Sequence, residues 1–229
     1  MYKYETHLHT YPVSRCAKSN VRDTLEFYKS KGYAGVFITN HFLDGNLSMD
    51  SFLPYSERIE FYFSDYEKAK ELSSEIGIDV FLGIESSYRG TDFLIYGIDK
   101  DWFLSNPDIM GMKKSEQLKL MRAAGAYIVQ AHPFREAWYI DHIRLFPRDV
   151  DSVEVINATR KSEENKFAEL YADYYSLPKF AGSDCHNVSV PGKFAGVETD
   201  IKVEDVNHFI SILRHGDYKI FSLDFTEDE

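Results

Sequence analysis

The sequence predicts an α/β fold in which helices cover a mainly parallel β-sheet. Short apolar segments of strand length alternate with amphipathic helical segments along the chain, and Gly or Pro residues stand between many of them. Seven strand–helix units would each take about 33 residues, which is close to the size of a β/α unit with its loops. A small or irregular barrel fits this spacing, and an open sheet is the alternative.

In the N-terminal half, two helices are delimited by recognisable end signals. Asn20 is suited to cap the first helix and Gly32 to end it, while Pro54 marks the start of the second and Gly77 its end. The predicted strands here are residues 2–8, 34–39, 78–84 and 93–98. The first three strands and two helices already form a β-α-β-α-β series, which favours parallel pairing.

The C-terminal half continues the alternation. Helices are predicted over 113–124, from Ser162 as a cap, and over 203–214, with Gly125 ending the first of them. The predicted strands are residues 126–131, 153–156, 179–182, 194–197 and 218–223. We expect one domain over residues 1–229, with 224–229 as a solvated tail.

Charge and cysteine content exclude several classes of protein. The chain of 229 residues has 26 Lys and Arg against 37 Asp and Glu, so its net charge of −11 disfavours general nucleic-acid binding. A small phosphorylated ligand held by local positive charge or metal stays compatible with it. Two cysteines, no signal peptide and no membrane-spanning segment predict a cytoplasmic protein without membrane association.

Histidines and carboxylates stand at the ends of predicted strands. His7 and His9 have the i, i+2 spacing that places two imidazoles on one face of a strand. The other such residues are His41, Glu85, His132, Asp184 and His186. Because the chemistry of a parallel barrel gathers at the carboxyl ends of its strands, we expect these side chains to meet there and bind metal.

Each motif alone is weaker evidence for a metal site than the motifs are together. His7 and His9 alone could be a polar strand edge, and His41 or Glu85 alone a loop residue facing solvent. Pro133 is expected to hold His132 in an extended conformation. Asp184 and His186 repeat the i, i+2 spacing, while Cys185 between them, like Cys16, is expected to be a small buried apolar residue. A glutamate such as Glu85 could bridge two ions.

The order of these motifs resembles that of the PHP family, the polymerase and histidinol-phosphate phosphatase domains. The matching segments are ETHLHT at 5–10, ITNH at 38–41, GIES at 83–86, AHPFR at 131–135 and GSDCH at 182–186. The resemblance implies a distorted (β/α)7 TIM-like barrel that binds two or three divalent ions (Zn, Mn or Fe) and hydrolyses phosphate esters. It implies ligand roles for His7, His9, His41, Glu85, His132, Asp184 and His186.

Three positions depart from the family pattern. The loop that usually supplies a further Asp or His ligand after the first motif reads YPVSRC at 11–16, with neither. Asp92 stands near the place of the family's histidine after the bridging glutamate, either as an oxygen ligand or as the start of a strand. Asn40 replaces the common acidic residue before His41.

Together these features predict a stand-alone, metal-dependent phosphomonoesterase that acts on a small phosphorylated metabolite through a metal-bound hydroxide. Arg135 is expected to neutralise charge on the phosphate, with Arg15, Lys18 and Arg89 as weaker candidates for substrate binding. Asp184 is expected to move a proton. The alternatives are an amidohydrolase or phosphodiesterase on the same site, or a non-catalytic metal-binding module. Metal identity, substrate and oligomeric state stay open.

Overall fold

The computed structural model describes residues 1–190 and 192–225. Within them the strands are β1 (Tyr2–Leu8), β2 (Gly35–Ile38), β3 (Asp79–Tyr88), β4 (Thr91–Tyr96), β5 (Tyr127–Ala131), β6 (Ser152–Asn157), β7 (Lys179–Gly182), β8 (Gly192–Thr199) and β9 (Lys219–Phe225). The helices are α1 (Val21–Ser30), α2 (Tyr55–Ile76), α3 (Lys100–Ser105), α4 (Lys114–Ala123), α5 (Ser162–Tyr175) and α6 (Val206–His215), with a 3₁₀ turn at Pro107–Gly111.

The first seven strands form a nearly closed, barrel-shaped sheet, as predicted. Strands β1, β2 and β3 pair in parallel, and so do β5, β6 and β7. The barrel closes where the chain after β7 meets the end of β1. There the Asp184 amide donates to the carbonyl of His7 at 2.7 Å, and the His9 amide donates to the carbonyl of Cys185 at 2.9 Å. We call this contact the β1–β7 seam.

The sheet is less regular than a purely parallel barrel. Strand β4 runs antiparallel to both β3 and β5, because a tight turn at Arg89 and Gly90 reverses the chain after β3. Both turn residues have positive φ, +51° and +83°, which matches a two-residue hairpin turn. Within the described residues no helix connects β5 to β6, whereas α3 and the 3₁₀ turn, which the sequence did not predict, precede α4.

A second pair of strands extends the sheet beyond the barrel. Strand β8 pairs antiparallel with β1, and β9 pairs antiparallel with β8. Asp224 and Phe225 belong to β9, opposite Lys193 and Gly192, so the prediction that the tail begins at residue 224 is wrong. The rest of that predicted tail, 226–229, lies outside the described residues.

Side-chain caps explain where several helices begin. The Asn20 side chain accepts from the Asp23 amide at 3.0 Å, as the sequence predicted. Asp205 accepts from the His208 amide at 2.8 Å, so α6 begins at Val206, three residues later than predicted. Helix α5 is capped from Lys161, not Ser162; the Glu164 carboxylate accepts from the Lys161 amide at 3.1 Å.

Aromatic rings fill the barrel below its carboxyl-terminal edge. Tyr96 on β4 and Phe180 on β7 have ring centroids 5.9 Å apart although their strands are not neighbours, so both rings point into the barrel. Phe209 on α6 packs against Phe37 on β2 at 4.3 Å. All four side chains are fully buried. The polar residues at the strand ends therefore lie directly above a closely packed apolar core. Among the described helices, none is both long enough and apolar enough to cross a membrane.

Candidate metal centre

Polar side chains from the ends of three other strands surround the Glu85 carboxylate. Its Oε1 lies 3.3 Å from Nε2 of His7 and 3.2 Å from Nε2 of His132. Its Oε2 lies 3.3 Å from Nε2 of His9 and 2.6 Å from Nδ1 of His41. The structure therefore brings these five predicted ligands together, and the glutamate has one oxygen toward each half of the group.

Asp184 joins the group from the β1–β7 seam. Its Oδ1 lies 3.5 Å from Nε2 of His7 and 3.3 Å from Nε2 of His9. Strand β7 ends at Gly182, and Asp184 has a φ of +55°, so the expected strand geometry does not extend over 184–186. The turn instead lets Nδ1 of His186 face the carbonyl of Asp184 at 2.8 Å and leaves Nε2 of His186 for another partner.

His132 reaches the centre through an unusual backbone conformation. Its φ is +24°, so the prediction that Pro133 keeps it extended is wrong. Contacts on both sides hold this conformation. The His132 amide donates to Oε2 of Glu154 at 2.9 Å, and its carbonyl accepts from the Arg135 amide at 2.9 Å. Such strained residues persist where the surrounding structure determines them, and they are common at functional sites.

The donor atoms form three overlapping groups with the size of metal sites. In each group the potential ligand atoms all lie within 4.8 Å of one another. The groups are His7, Glu85 and His132; His7, His9 and Asp184; and His9, His41 and His186. In addition, Nδ1 of His41 and Oε2 of Glu85 are both buried and lie only 2.6 Å apart. Nitrogen and oxygen donors held this close together in a buried pocket fit ligation to a cation.

The electrostatics of the pocket also favour cations. Burial raises the pKa of Glu85, but the imidazoles of His41 and His7 lower it by more, so this pKa lies well below its ordinary value. Burial also raises the pKa of Asp184, but nearby imidazoles, His7 above all, lower it by more, so this pKa lies well below its usual range. Burial lowers the pKa of His7, yet Glu154, Asp184 and Glu85 raise it well above normal. The carboxylates are therefore ionised and attract positive charge.

His9 behaves differently from His7 because it lies among other imidazoles. Burial, followed by the neighbouring His41 and His186, lowers the pKa of His9 well below its ordinary value. Its Nδ1 lies 3.1 Å from the hydroxyl of Ser14, and its Nε2 faces the carboxylates. A neutral imidazole whose Nε2 lone pair points into the centre is the form in which histidine binds metal.

Several residues that orient the centre were not predicted. Glu154 in the middle of β6 has Oε1 2.8 Å from Nδ1 of His7, on the side opposite Nε2. Asn40 accepts from the Thr10 amide at 2.7 Å and from the Ser14 hydroxyl at 2.8 Å, which fixes the loop after β1. Glu5 accepts from the His7 amide at 2.8 Å. An acidic residue inside an apolar strand, such as Glu154 in VEVI, was the available sequence signal.

A cavity of about 480 Å³ opens over the centre and contains three arginines. Arg89, Arg135 and Arg160 line it together with His41 and Asp184. Arg160 was not singled out from the sequence. Arg15 and Lys18, which were, are exposed and do not line this cavity. The cavity thus combines three guanidinium groups with the carboxylates of Asp44, Asp92 and Asp184, in a protein that is acidic overall.

Asp92 and Arg135 form an ion pair at the edge of the centre. Nη2 of Arg135 lies 2.7 Å from Oδ2 of Asp92, and the same oxygen lies 3.9 Å from Nε2 of His132. Asp92 is in β4, paired opposite Ala131, so the antiparallel strand delivers it to the strand ends. A role for Asp92 as a metal ligand stays a prediction; its place beside Arg135 is a structural fact.

Cys16 differs from the expectation of a small buried apolar residue. Its thiol hydrogen-bonds to the rings of His41 and His186, and it lines the same cavity as Arg135. Burial raises the pKa of this thiol, but the hydrogen bonds from His186 and His41 lower it by more, to about 6. Cys185, in contrast, packs in an apolar cluster with Leu8, as expected for the buried cysteine.

A family model described as PHP-associated (PHP_C) matches residues 162–218. A two-domain protein from Bacteroides vulgatus ATCC 8482, containing a predicted PHP-like metal-dependent phosphoesterase, aligns with a TM-score of 0.66 at 11% identity. The alignment covers 96% of this chain and 64% of that protein, so the chain spans less than two thirds of its length. At this identity the likeness shows a shared fold.

Two further structures share this fold. A protein from Bifidobacterium adolescentis ATCC 15703, to which metal-dependent phosphoesterase activity is provisionally assigned, aligns with a TM-score of 0.56 at 16% identity, over 92% of this chain and 95% of that one. An amidohydrolase from Chromobacterium violaceum, with bound sulfate and no metal, aligns with a TM-score of 0.51 at 15% identity, over 80% of this chain and 87% of that one. Among curated protein sequences, none matches this chain significantly.

Proposed function

We propose that this protein is a PHP-type metal-dependent hydrolase, specifically a phosphomonoesterase acting on a small phosphorylated metabolite. The observation that carries the proposal is the placement of Arg135, Arg89 and Arg160 around the cavity that opens on the histidine and carboxylate centre. A phosphate monoester carries about two negative charges, so it needs positive charge that an amide substrate does not. The cavity of about 480 Å³ has the size of a small-molecule site.

Three positions for divalent ions follow from the three donor groups. His7, His9, Glu85 and Asp184 would hold one ion; Glu85 would also serve a second ion with His132, and Asp92 is within reach of that position. His41 and His186 would hold a third ion beside His9. Nitrogen and oxygen donors of this kind suit Zn²⁺, Mn²⁺ or Fe²⁺. Ions bound there would activate water at neutral pH and neutralise charge on the phosphate.

Arg135 would orient the phosphate. Its guanidinium is fixed by the Asp92 carboxylate at 2.7 Å and still lines the cavity, so its remaining N–H groups can donate to two phosphate oxygens. Arg135 also lies over the ring of Tyr139 at 5.8 Å, which limits its motion. A pre-positioned cation of this type stabilises the charge that develops during phosphate ester cleavage.

Asp184 would accept a proton during hydrolysis. Its low pKa keeps it ionised, and Oδ2 faces the Thr159 hydroxyl at 3.3 Å and Nδ2 of Asn157 at 3.4 Å. These two donors hold the carboxylate so that Oδ1 stays directed at His7 and His9. Asp184 therefore combines a ligand role at Oδ1 with proton transfer at Oδ2.

Amide hydrolysis is the second candidate, because one structural neighbour is named an amidohydrolase. The ligands alone do not select phosphorus over carbon, and the distinction lies in the arginines. If amides were the substrate, Arg135 and Arg160 would have no developing phosphate charge to stabilise. A phosphodiester carries one negative charge per ester group, so it needs fewer neighbouring cations than a phosphomonoester does.

We also propose a cytoplasmic protein with small-molecule substrates and no general nucleic-acid or membrane partner. The basis is the free state of both cysteines and the net charge of −11, which disfavours binding to polyanions.

A substrate panel tests the function directly. Protein loaded separately with Zn²⁺, Mn²⁺ or Fe²⁺ is assayed on phosphomonoesters, on phosphodiesters including single- and double-stranded DNA, and on amides. We expect turnover of phosphomonoesters, its loss in His9→Ala, and its retention in His215→Ala, which changes an exposed histidine far from the centre. Faster turnover of amides or diesters would replace the proposed substrate class. Absence of all turnover with ions bound would support a non-catalytic module.

A further inference from the structure

The loop after β1 brings Cys16 to the third group of donors, His9, His41 and His186. Backbone hydrogen bonds fix both flanks of the cysteine. The Arg15 amide donates to the carbonyl of Asn46 at 2.9 Å, and the Lys18 amide donates to the carbonyl of His186 at 2.7 Å. The loop is thus attached to the segment that carries one of the histidines. The Cys16 thiol contacts the rings of both His41 and His186, and all three residues line the same cavity.

The three histidines supply evidence for a cation that is independent of the cysteine. One ring nitrogen from each lies within 4.8 Å of the other two. Nδ1 of His41 lies 2.6 Å from Oε2 of Glu85, so this carboxylate fixes the orientation of the ring. His186 uses Nδ1 on a backbone carbonyl at 2.8 Å, which directs Nε2 away from that carbonyl. The second ring nitrogen of a metal-binding histidine commonly has such a partner.

We propose that Cys16 is a thiolate ligand of the ion held by His41 and His186 next to His9, and that this position selects Zn²⁺ over Mn²⁺. A set of one sulfur and three imidazole nitrogens matches the four-coordinate sites that zinc prefers. Thiolates bind soft or borderline ions, whereas the carboxylate-rich positions around Glu85 accept Mn²⁺ or Fe²⁺ as well. When the S–metal bond forms, the thiol proton leaves to solvent, so binding releases a proton.

The inference concerns ion binding and does not depend on which ester or amide bond the centre hydrolyses. It also predicts that one of the two cysteines is masked when the ion binds. Cys185 serves as the internal control, because it is buried in the apolar cluster and burial raises its thiol pKa to about 12. Any spectroscopic or chemical change on ion binding should therefore belong to Cys16.

Cobalt titration is the decisive experiment. Chelator-treated protein is titrated with Co²⁺, and the near-ultraviolet thiolate-to-cobalt charge-transfer band is recorded. We expect the band in the unmodified protein and in Cys185→Ala, and its loss in Cys16→Ser. Serine keeps the size of the side chain, and far-ultraviolet circular dichroism of the metal-free variants checks their folding. A band that persists in Cys16→Ser, or that is absent from the unmodified protein, would overturn the proposal.

Two measurements on the unmodified chain keep the proposal testable if Cys16→Ser does not fold. One equivalent of Zn²⁺ should protect one thiol from alkylation, with mass spectrometry assigning the protected peptide to Cys16. In a mixture with excess Mn²⁺, the protein should retain one Zn²⁺ per chain. Alkylation of Cys16 at an unchanged rate with Zn²⁺ bound, or replacement of all bound Zn²⁺ by Mn²⁺, would contradict the inference.

Discussion

The Glu154 carboxylate lies directly behind the His7 ring, with Oε1 2.8 Å from Nδ1, while Nε2 of the same ring faces Glu85 at 3.3 Å. The other oxygen of Glu154 accepts from the His132 amide at 2.9 Å. One fully buried carboxylate thus orients ligands from two different strands, β1 and β5. A histidine oriented in this way has a fixed tautomer and a more basic metal-binding nitrogen.

Replacing Glu154 by Gln should weaken metal binding without removing a ligand. The amide keeps the size of the side chain but loses the charge that polarises His7, and the expected loss of affinity is about 10- to 100-fold. Competition with a chromophoric chelator measures the affinity. Glu169→Gln, which removes a charge from an exposed surface pair with Lys179, is the control. Equal affinities in both variants would show that Glu154 has no influence on the ligands.

Gly182→Ala should open the β1–β7 seam. A β-carbon at this position would lie 2.4 Å from Cβ of His7 and 2.9 Å from Oε1 of Glu154, so β1 or β7 has to move. Overpacking in a well-packed interior typically costs about 1–3 kcal/mol. Urea unfolding of the metal-free protein measures this cost, with Gly111→Ala as the control because its β-carbon would meet no atom within 4 Å. Equal unfolding free energies for the two variants would contradict the packing argument.

Arg135→Ala should lower kcat/KM for phosphomonoesters about 100-fold, the typical effect of deleting one strong electrostatic donor. The ion content should not change, because Arg135 is not a ligand. Arg135→Lys should recover only part of the rate, since lysine keeps the charge but not the planar pair of donors. Steady-state kinetics with metal analysis check this. Near-normal phosphatase kinetics in Arg135→Ala would favour amide hydrolysis instead.

Asp92→Asn separates a positioning role from a ligand role. The 2.7 Å pair with Arg135 predicts that the variant loses activity together with Arg135→Ala and that the double variant is little worse than either single one. A ligand role predicts instead that one ion is lost, an effect larger than the 10- to 100-fold expected for an indirect contact. Ion content per chain, measured beside the double-mutant cycle, distinguishes the two. Unchanged activity and ion content would exclude both.

Glu5 should make the metal-free protein less stable as pH rises. Burial raises its pKa to about 7, against 4.5 for the free side chain, so the folded state holds the proton more tightly than the unfolded state. Its contribution to stability is complete below about pH 4.5 and is lost as pH rises through about 7, amounting to about 3 kcal/mol at most.

Glu5→Gln removes this titration. Its hydroxyl partners on Tyr28 and Ser183 can rotate to accept from an amide, so the variant should fold. Urea unfolding from pH 5 to pH 8 should therefore show a smaller decline in stability for Glu5→Gln than for the unmodified chain. Parallel pH profiles would show that Glu5 does not titrate in this range.

The meeting of the strand ends could be predicted from the sequence. Strands that alternate with helices pair in parallel, so their carboxyl ends lie at the same edge of the sheet. Once β1, β2, β3, β5 and β7 are parallel, the residues that end them must meet, and His7, His132 and Asp184 do. Strand β4 was predicted over residues 93–98, but its antiparallel direction was not. However, Gly90 and the absence of any helical pattern between β3 and β4 were the available hairpin signals.

Other features depend on contacts that no local pattern encodes. The positive φ of His132 runs against the ordinary preference before proline and is held by Glu154, which lies 22 residues away along the chain. Cys16 could not be placed, because its loop has no periodicity and its partners come from two distant segments. Such contacts are set by tertiary packing rather than by local propensity.

The β1–β7 seam also determines the order in which the molecule can assemble. His7 and Asp184 come from opposite ends of the barrel's sequence, so their contact closes the first seven strands into a ring. The entropy of such a closure is lost before its contacts can compensate, so we expect the seam to form late in folding. His7 and His9 lie on the β1 side of the seam and Asp184 on the β7 side, so an ion bound to all three would hold the two strands together. Bound ions should therefore oppose separation of the two strands and add to the stability of the closed barrel.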